Sequence, residues 1–199
     1  MNFIEKRPVE FRNGYETPAL SSIARVAVIG TSCAGKTTFA RSLGRLLDFP
    51  HIELDAFHWL PNWIERPDDE FCALTARAIS QDCWVLDGNY TVVRELVWSR
   101  ATTLVWLNYS FPTVLWRALT RTFRRSVTKE EIFAGNRESL RMALLSRDSI
   151  LWWVVSTFYP RRKQYRQLFD AATFPQLDYL EFRNPSDGRL FLNRFKSND

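Results

Sequence analysis

Residues 25–43 read RVAVIGTSCAGKTTFARSL, and no other stretch limits the fold as tightly. A short apolar run, 26–29, has the character of a strand buried on both faces. A turn of small residues follows. Then Phe39, Leu43, Leu46 and Leu47 recur at helical spacing, which predicts an amphipathic helix over 36–47. The chain has seven glycines, and two of them, Gly30 and Gly35, bracket the turn. Glycine there admits left-handed main-chain angles and a close approach of the backbone to a ligand. Residues 30–37 match G-x-x-x-x-G-K-[ST] in full, with a strand before and a helix after. Successive N–H groups in such a turn face inward as an anion nest, and the helix start adds the positive end of its dipole. The turn is therefore expected to wrap the phosphate tail of ATP. Gly30, Thr31, Ser32, Cys33, Ala34, Gly35, Lys36, Thr37 and Thr38 are the expected contacts. Lys36 would meet the β- and γ-phosphates, and the Thr37 hydroxyl would ligate Mg²⁺.

The rest of the chain repeats the strand-then-helix rhythm. HIELD (51–55), WVLDG (84–88), TTLVWL (102–107) and LDYLEF (177–182) read as four further strands. Phe71, Leu74, Ala78 and Ile79 mark one helix, and Pro112 suits the first turn of another running to about Arg125. Two more helical segments are expected on either side of a break near Pro160, and a short closing helix after Ser186. Apolar strands joined by helices imply right-handed crossovers and a parallel sheet covered on both faces. The expected architecture is α/β: a three-layer P-loop NTPase with a five-stranded parallel sheet. Residues 1–24 would be an N-terminal arm. Residues 25–199 would form one domain with a helical lid inserted at about 126–170.

Composition narrows the class. The 199 residues suit one sizeable domain, with 46% hydrophobic and 25% charged. A net charge of +5 favours an anionic partner without choosing among nucleotide, nucleic acid and membrane surface. Three cysteines without paired or zinc-like spacing suit reduced thiols in a cytoplasmic protein. The opening residues lack the apolar core of a secretory signal, and the longest greasy run, 150–159, is too short to span a bilayer.

Ligands of an open parallel sheet bind beyond the carboxyl ends of its strands. Asp87 ends one strand and is expected to hold Mg²⁺ directly or through water; Asp55 ends another and is expected to meet the acceptor as a base or through a metal-bound water. Each would equally serve as a cap on the helix that follows. Phe57, His58, Trp59 and Trp63 suit either a stacked flat acceptor or the core. Arg117, Arg121, Arg124 and Arg125 form one stripe on a helix, with Leu115, Ala118, Leu119 and Thr122 on a different face; further arginines follow at 137, 141, 147, 161, 162 and 166. Such a stripe is either a solvated face or a set of forks over the transferring phosphoryl group. A lid carrying them would also exclude water.

With these residues placed, the chain resembles the adenylate-kinase-like P-loop kinases: WVLDGNY (84–90) looks like their acid-glycine turn, and RALTR (117–121) like their paired arginines. It resembles more closely a branch of that superfamily, the bacterial DNA topology modulation proteins, in ELDAFHWLPNW (53–63), WVLDGNY, GNRESLR (135–141) and LLSRDSILWW (144–153). The turn is DGNY where true adenylate kinases carry DGFPR, so the arginine that would hold a monophosphate there is absent. The resemblance implies a base contact from the loop 183–188.

Two functions follow as expectations. The first is a kinase moving the γ-phosphoryl of ATP to a small-molecule acceptor, with Lys36, Asp55, Arg117, Arg121 and Arg125 in the catalytic set and Thr37 with Asp87 on the metal. The second is a nucleotide-dependent DNA-binding or regulatory protein, whose affinity would fall steeply with salt. An ATPase without an acceptor is a third.

Overall fold

The computed structural model describes residues 23–128, 133–135, 150–171 and 173–196. In chain order the elements are β1 (Arg25–Gly30), α1 (Lys36–Leu47), β2 (His51–Glu53), α2 (Leu54–His58), β3 (Trp59–Leu60), β4 (Ile64–Glu65), α3 (Asp68–Ala78), β5 (Trp84–Asp87), α4 (Arg94–Arg100), β6 (Thr103–Leu107), α5 (Phe111–Thr128), α6 (Ile150–Ala171), β7 (Asp178–Phe182) and α7 (Pro185–Lys196). Single 3₁₀ turns stand at Pro61–Trp63, Thr91–Val93 and Phe133–Gly135.

Five strands form one parallel sheet in the order β2-β5-β1-β6-β7, and β3 and β4 make a separate antiparallel hairpin. The five-stranded parallel sheet expected from the sequence is thus present. β1 lies at its centre, between β5 and β6. Its register sets Val28 beside Asp87 and Gly30 beside Leu107, so the loop after β1 and the acid ending β5 emerge at the same edge.

Alternation along the strands builds two cores. Val26, Val28, Val105 and Leu107 face Phe39, Leu43, Ala118 and Phe191 from α1, α5 and α7. Ala27, Ile29, Leu104 and Trp106 face the opposite layer, with Phe71, Val97, Trp98 and Phe169 from α3, α4 and α6. Period-two side chains on a doubly covered sheet require this.

Several expectations are corrected. α6 runs unbroken through Pro160. Val154 and Phe158 lie in one core and Tyr165 and Phe169 in the other, so burial on both sides of the proline outweighs its missing N–H. β2 stops at Glu53, where its pairing with Asp87 ends, and Asp55 falls instead in the first turn of α2. α4 was not legible at all in its short sequence, RELVWSR. On α5 the buried side chains are Val114, Ala118 and Thr122, while Leu119 is exposed.

Candidate functional site

The loop between β1 and α1 turns through left-handed main-chain angles at Cys33 and Gly35. Gly35 caps α1 in the left-handed region at φ 93° and ψ 26°. A Cβ there would stand 2.8 Å from the Arg117 guanidinium and displace it from the loop. Cys33 adopts φ 62°, and the Ala34 N–H closes the turn onto the Thr31 carbonyl at 3.2 Å. The Lys36 ammonium folds back to donate to the Thr31 carbonyl at 3.3 Å. Burial pulls it below the ordinary lysine value, Asp55 and Asp87 oppose that shift, and Arg161 adds to it. Thr38 is exposed on the first turn of α1.

On the β5 side the Thr37 hydroxyl donates to Asp87 Oδ2 at 2.7 Å and lies 3.2 Å from Glu53 Oε1. The second oxygen of Asp87 pairs with His51 Nε2 at 2.7 Å. Asp87 is almost fully buried. Burial first, and then the charge of Asp87, push the Glu53 carboxyl above the usual range, while the Thr37 hydroxyl pulls the other way. Among the described residues no cluster of three or more histidines, cysteines or acids could hold a metal. What the loop offers is one hydroxyl beside carboxylates. That donor set fits Mg²⁺, which takes one or two protein oxygens and completes its shell with phosphate and water.

The turn after β5 holds what lies on either side of it. Gly88 packs so closely on α2 that a Cβ would sit 2.6 Å from the Leu54 Cβ. Asn89 spans both main-chain groups of Gly30: its side-chain oxygen accepts the Gly30 N–H at 3.3 Å, and its amide donates to the Gly30 carbonyl. The Tyr90 hydroxyl donates to Asp55 Oδ1 at 2.7 Å and hydrogen-bonds with Trp59. Its ring rests on His58, 4.3 Å between centroids, and on Phe71 at 5.1 Å. The aromatic segment is therefore partly core, since His58 and Phe71 are buried, and partly surface, since Trp59 and Trp63 remain half-buried.

Two members of the arginine stripe turn toward the loop. Arg117 donates to the Ala34 carbonyl at 2.5 Å and lies 5.0 Å from the centre of the Tyr109 ring; Arg121 reaches Cys33 Sγ at 3.8 Å. Arg125 lies a further turn along α5 and is half-buried. From α6, Trp153 donates its indole N–H to the Ser32 hydroxyl at 3.2 Å, and Arg161 covers the Trp153 ring at 5.4 Å. Arg137, Arg141 and Arg147 lie outside the described residues.

Shikimate kinase from Acinetobacter baumannii superposes with a TM-score of 0.56 at 16% identity, covering 88% of this chain and 92% of that one. The fold is that of a P-loop kinase. A gluconokinase from Sinorhizobium meliloti 1021 gives 0.48 at 17% identity over 88% and 94% of the two chains. Shikimate kinase from Bacteroides thetaiotaomicron gives 0.49 at 14% over 87% and 97%. The fold assignment rests on the first of the three. No protein-family model and no curated protein matches the sequence.

Glu53, His51, Asn89, Tyr90 and Trp153 join the site without having been singled out from the sequence. Glu53 lay within the expected strand 51–55, but the expected end of that strand was Asp55, and only the shorter β2 brings Glu53 beside Asp87. Asn89 and Trp153 stood only inside stretches quoted for the resemblance, and nothing local showed their contacts, since their partners are 59 and 121 residues away.

Proposed function

We propose that this chain is an ATP- and Mg²⁺-dependent kinase that transfers the γ-phosphoryl group to a hydroxyl of a small molecule. One observation supports it most. Thr37, next to Lys36 in the loop, donates to Asp87 at 2.7 Å, and in the turn just after Asp87 Asn89 meets Gly30 while Tyr90 donates to Asp55 at 2.7 Å. These contacts support a reading in which Lys36 serves the phosphates, Thr37 the metal and Asp55 the acceptor.

In this reading the loop N–H groups and Lys36 hold the β- and γ-phosphates, while Thr37 and Asp87 hold the metal directly or through water. Mg²⁺ supplies charge neutralisation between neighbouring phosphate oxygens. Asp55 orients the acceptor hydroxyl and takes its proton as the new oxygen–phosphorus bond forms and the bond to ADP breaks. Arg117 and Arg121 stand on the loop where charge on the phosphates would need to be matched. Arg125, a turn further along α5, is assigned to the same set. The insertion expected at about 126–170, much of which lies outside the described residues, would serve as the cover over this site. The resemblance to DNA topology modulation proteins rests on sequence stretches alone and adds no acceptor.

Labelled ATP incubated with a panel of nucleosides, monophosphates and small hydroxyl metabolites tests this reading. A labelled product that forms with the wild type and is lost in Asp55→Asn supports it. Release of ADP and free phosphate alone, whatever acceptor is added, replaces it with an ATPase.

A further inference from the structure

Pairing between β1 and β5 ends at Val28 and Asp87, with the Gly88 N–H reaching back to the Val28 carbonyl at 3.4 Å. Gly30, two residues further along β1, has no strand on that side. Its N–H and carbonyl would be stranded at the start of the phosphate loop, yet both are met by the side-chain amide of Asn89. A side chain here does the work of a strand, extending the ladder by one rung to the residue where the loop begins. The next residue faces the other way. Tyr90 is locked by His58 and Phe71, and its hydroxyl is aimed at Asp55 while hydrogen-bonded with Trp59. Burial and the charge of Asp55 hold the phenol well above its ordinary value, so it stays a donor. Gly88, ahead of both, lets α2 approach with no gap.

We propose that Asn89 and Tyr90 are a pair of positioning residues, Asn89 fixing the entrance of the phosphate loop through Gly30 and Tyr90 fixing the acceptor carboxylate Asp55, so that one turn sets the spacing between phosphoryl donor and acceptor. The proposal rests on the kinase reading above and adds to it a division of labour between neighbours. Asn89 acts on nucleotide binding and Tyr90 on transfer. A turn that merely stabilised the fold would show no such division.

Three readouts separate these cases: titration calorimetry with Mg²⁺ and a non-hydrolysable ATP analogue, phosphate release from MgATP with water in the acceptor's place, and melting without nucleotide. Asn89→Ala is expected to weaken analogue binding about fivefold or more, the scale of a lost hydrogen bond. Asn89→Asp keeps the shape, sets an oxygen against the Gly30 carbonyl, and should weaken it too. Tyr90→Phe keeps the ring packing. It should leave binding within about twofold and lower phosphate release at saturating MgATP about tenfold or more. Combined with Asp55→Asn it should be no worse than Asp55→Asn alone. Unchanged binding in both Asn89 variants, or unchanged turnover in Tyr90→Phe, overturns the proposal. So does an equal loss of binding, turnover and melting temperature in all of them. A wild type that does not bind the analogue removes the kinase reading, and the proposal with it.

Discussion

In the proposed reaction Lys36 serves the phosphoryl donor and Asp55 the acceptor, so their substitutions should separate. Asp55→Asn keeps the shape of the side chain and lies off the loop. It should leave MgATP binding within about twofold while lowering transfer by about 10²-fold or more, the range for loss of a positioned base. Equal loss of both would put Asp55 in the nucleotide site. Gly35→Ala should act through a different residue: a Cβ at φ 93° is strained and would push against Arg117, 2.8 Å away. A cost of about 1–3 kcal/mol is expected in chemical denaturation, together with weaker nucleotide binding. Residues 30–37 were legible because a loop of this kind is specified by its own glycines and the flanking strand and helix. Asn89 and Tyr90 were not, because each is defined by a partner 59 or 35 residues away that no local pattern announces.

At the scale of elements, α6 shows where local punctuation misleads. Pro160 reads as a break, yet the helix continues from Ile150 to Ala171 because its buried side chains serve both cores. Pro160 itself is exposed, so Pro160→Ala should remove no packing and restore one N–H. A gain of about 1–3 kcal/mol in unfolding free energy is expected, and a loss would mean the proline shapes the helix path. α6 is tied to β7 by Arg166, which pairs with Glu181 at 2.5 Å. Burial works against the charge of Glu181, but hydrogen bonds from Arg166, Asn108 and Arg183 outweigh it and hold the carboxyl below its ordinary value of 4.5. A lowered value contributes stability that is complete above pH 4.5 and is lost as pH falls below it. Glu181→Gln should cost about 2 kcal/mol near neutrality, less than a fully buried pair because Arg166 is partly solvated. The gap to wild type should close in acid; a gap constant with pH would show that packing, not charge, carries the contribution.

Across the whole molecule, the five strands and the parallel sheet followed from apolar runs spaced by helices, whereas the order β2-β5-β1-β6-β7 did not. That order places β1 between β5 and β6, so the loop, Asp87 and two arginines of α5, Arg117 and Arg121, meet at one edge. α4 escaped notice because seven residues are too few to display a helical period. The central claim is that main-chain amides of residues 30–37 grip a triphosphate beside Lys36. A ligand that binds only the folded state raises stability by about 2.7 kcal/mol at a hundredfold excess over its dissociation constant. The most direct measurement is thermal unfolding of wild type and Lys36→Ala with and without MgATP. A clear upward shift is expected in the wild type and none in the variant; an equal shift in both, or none in the wild type, would mean that the loop does not hold the triphosphate through Lys36.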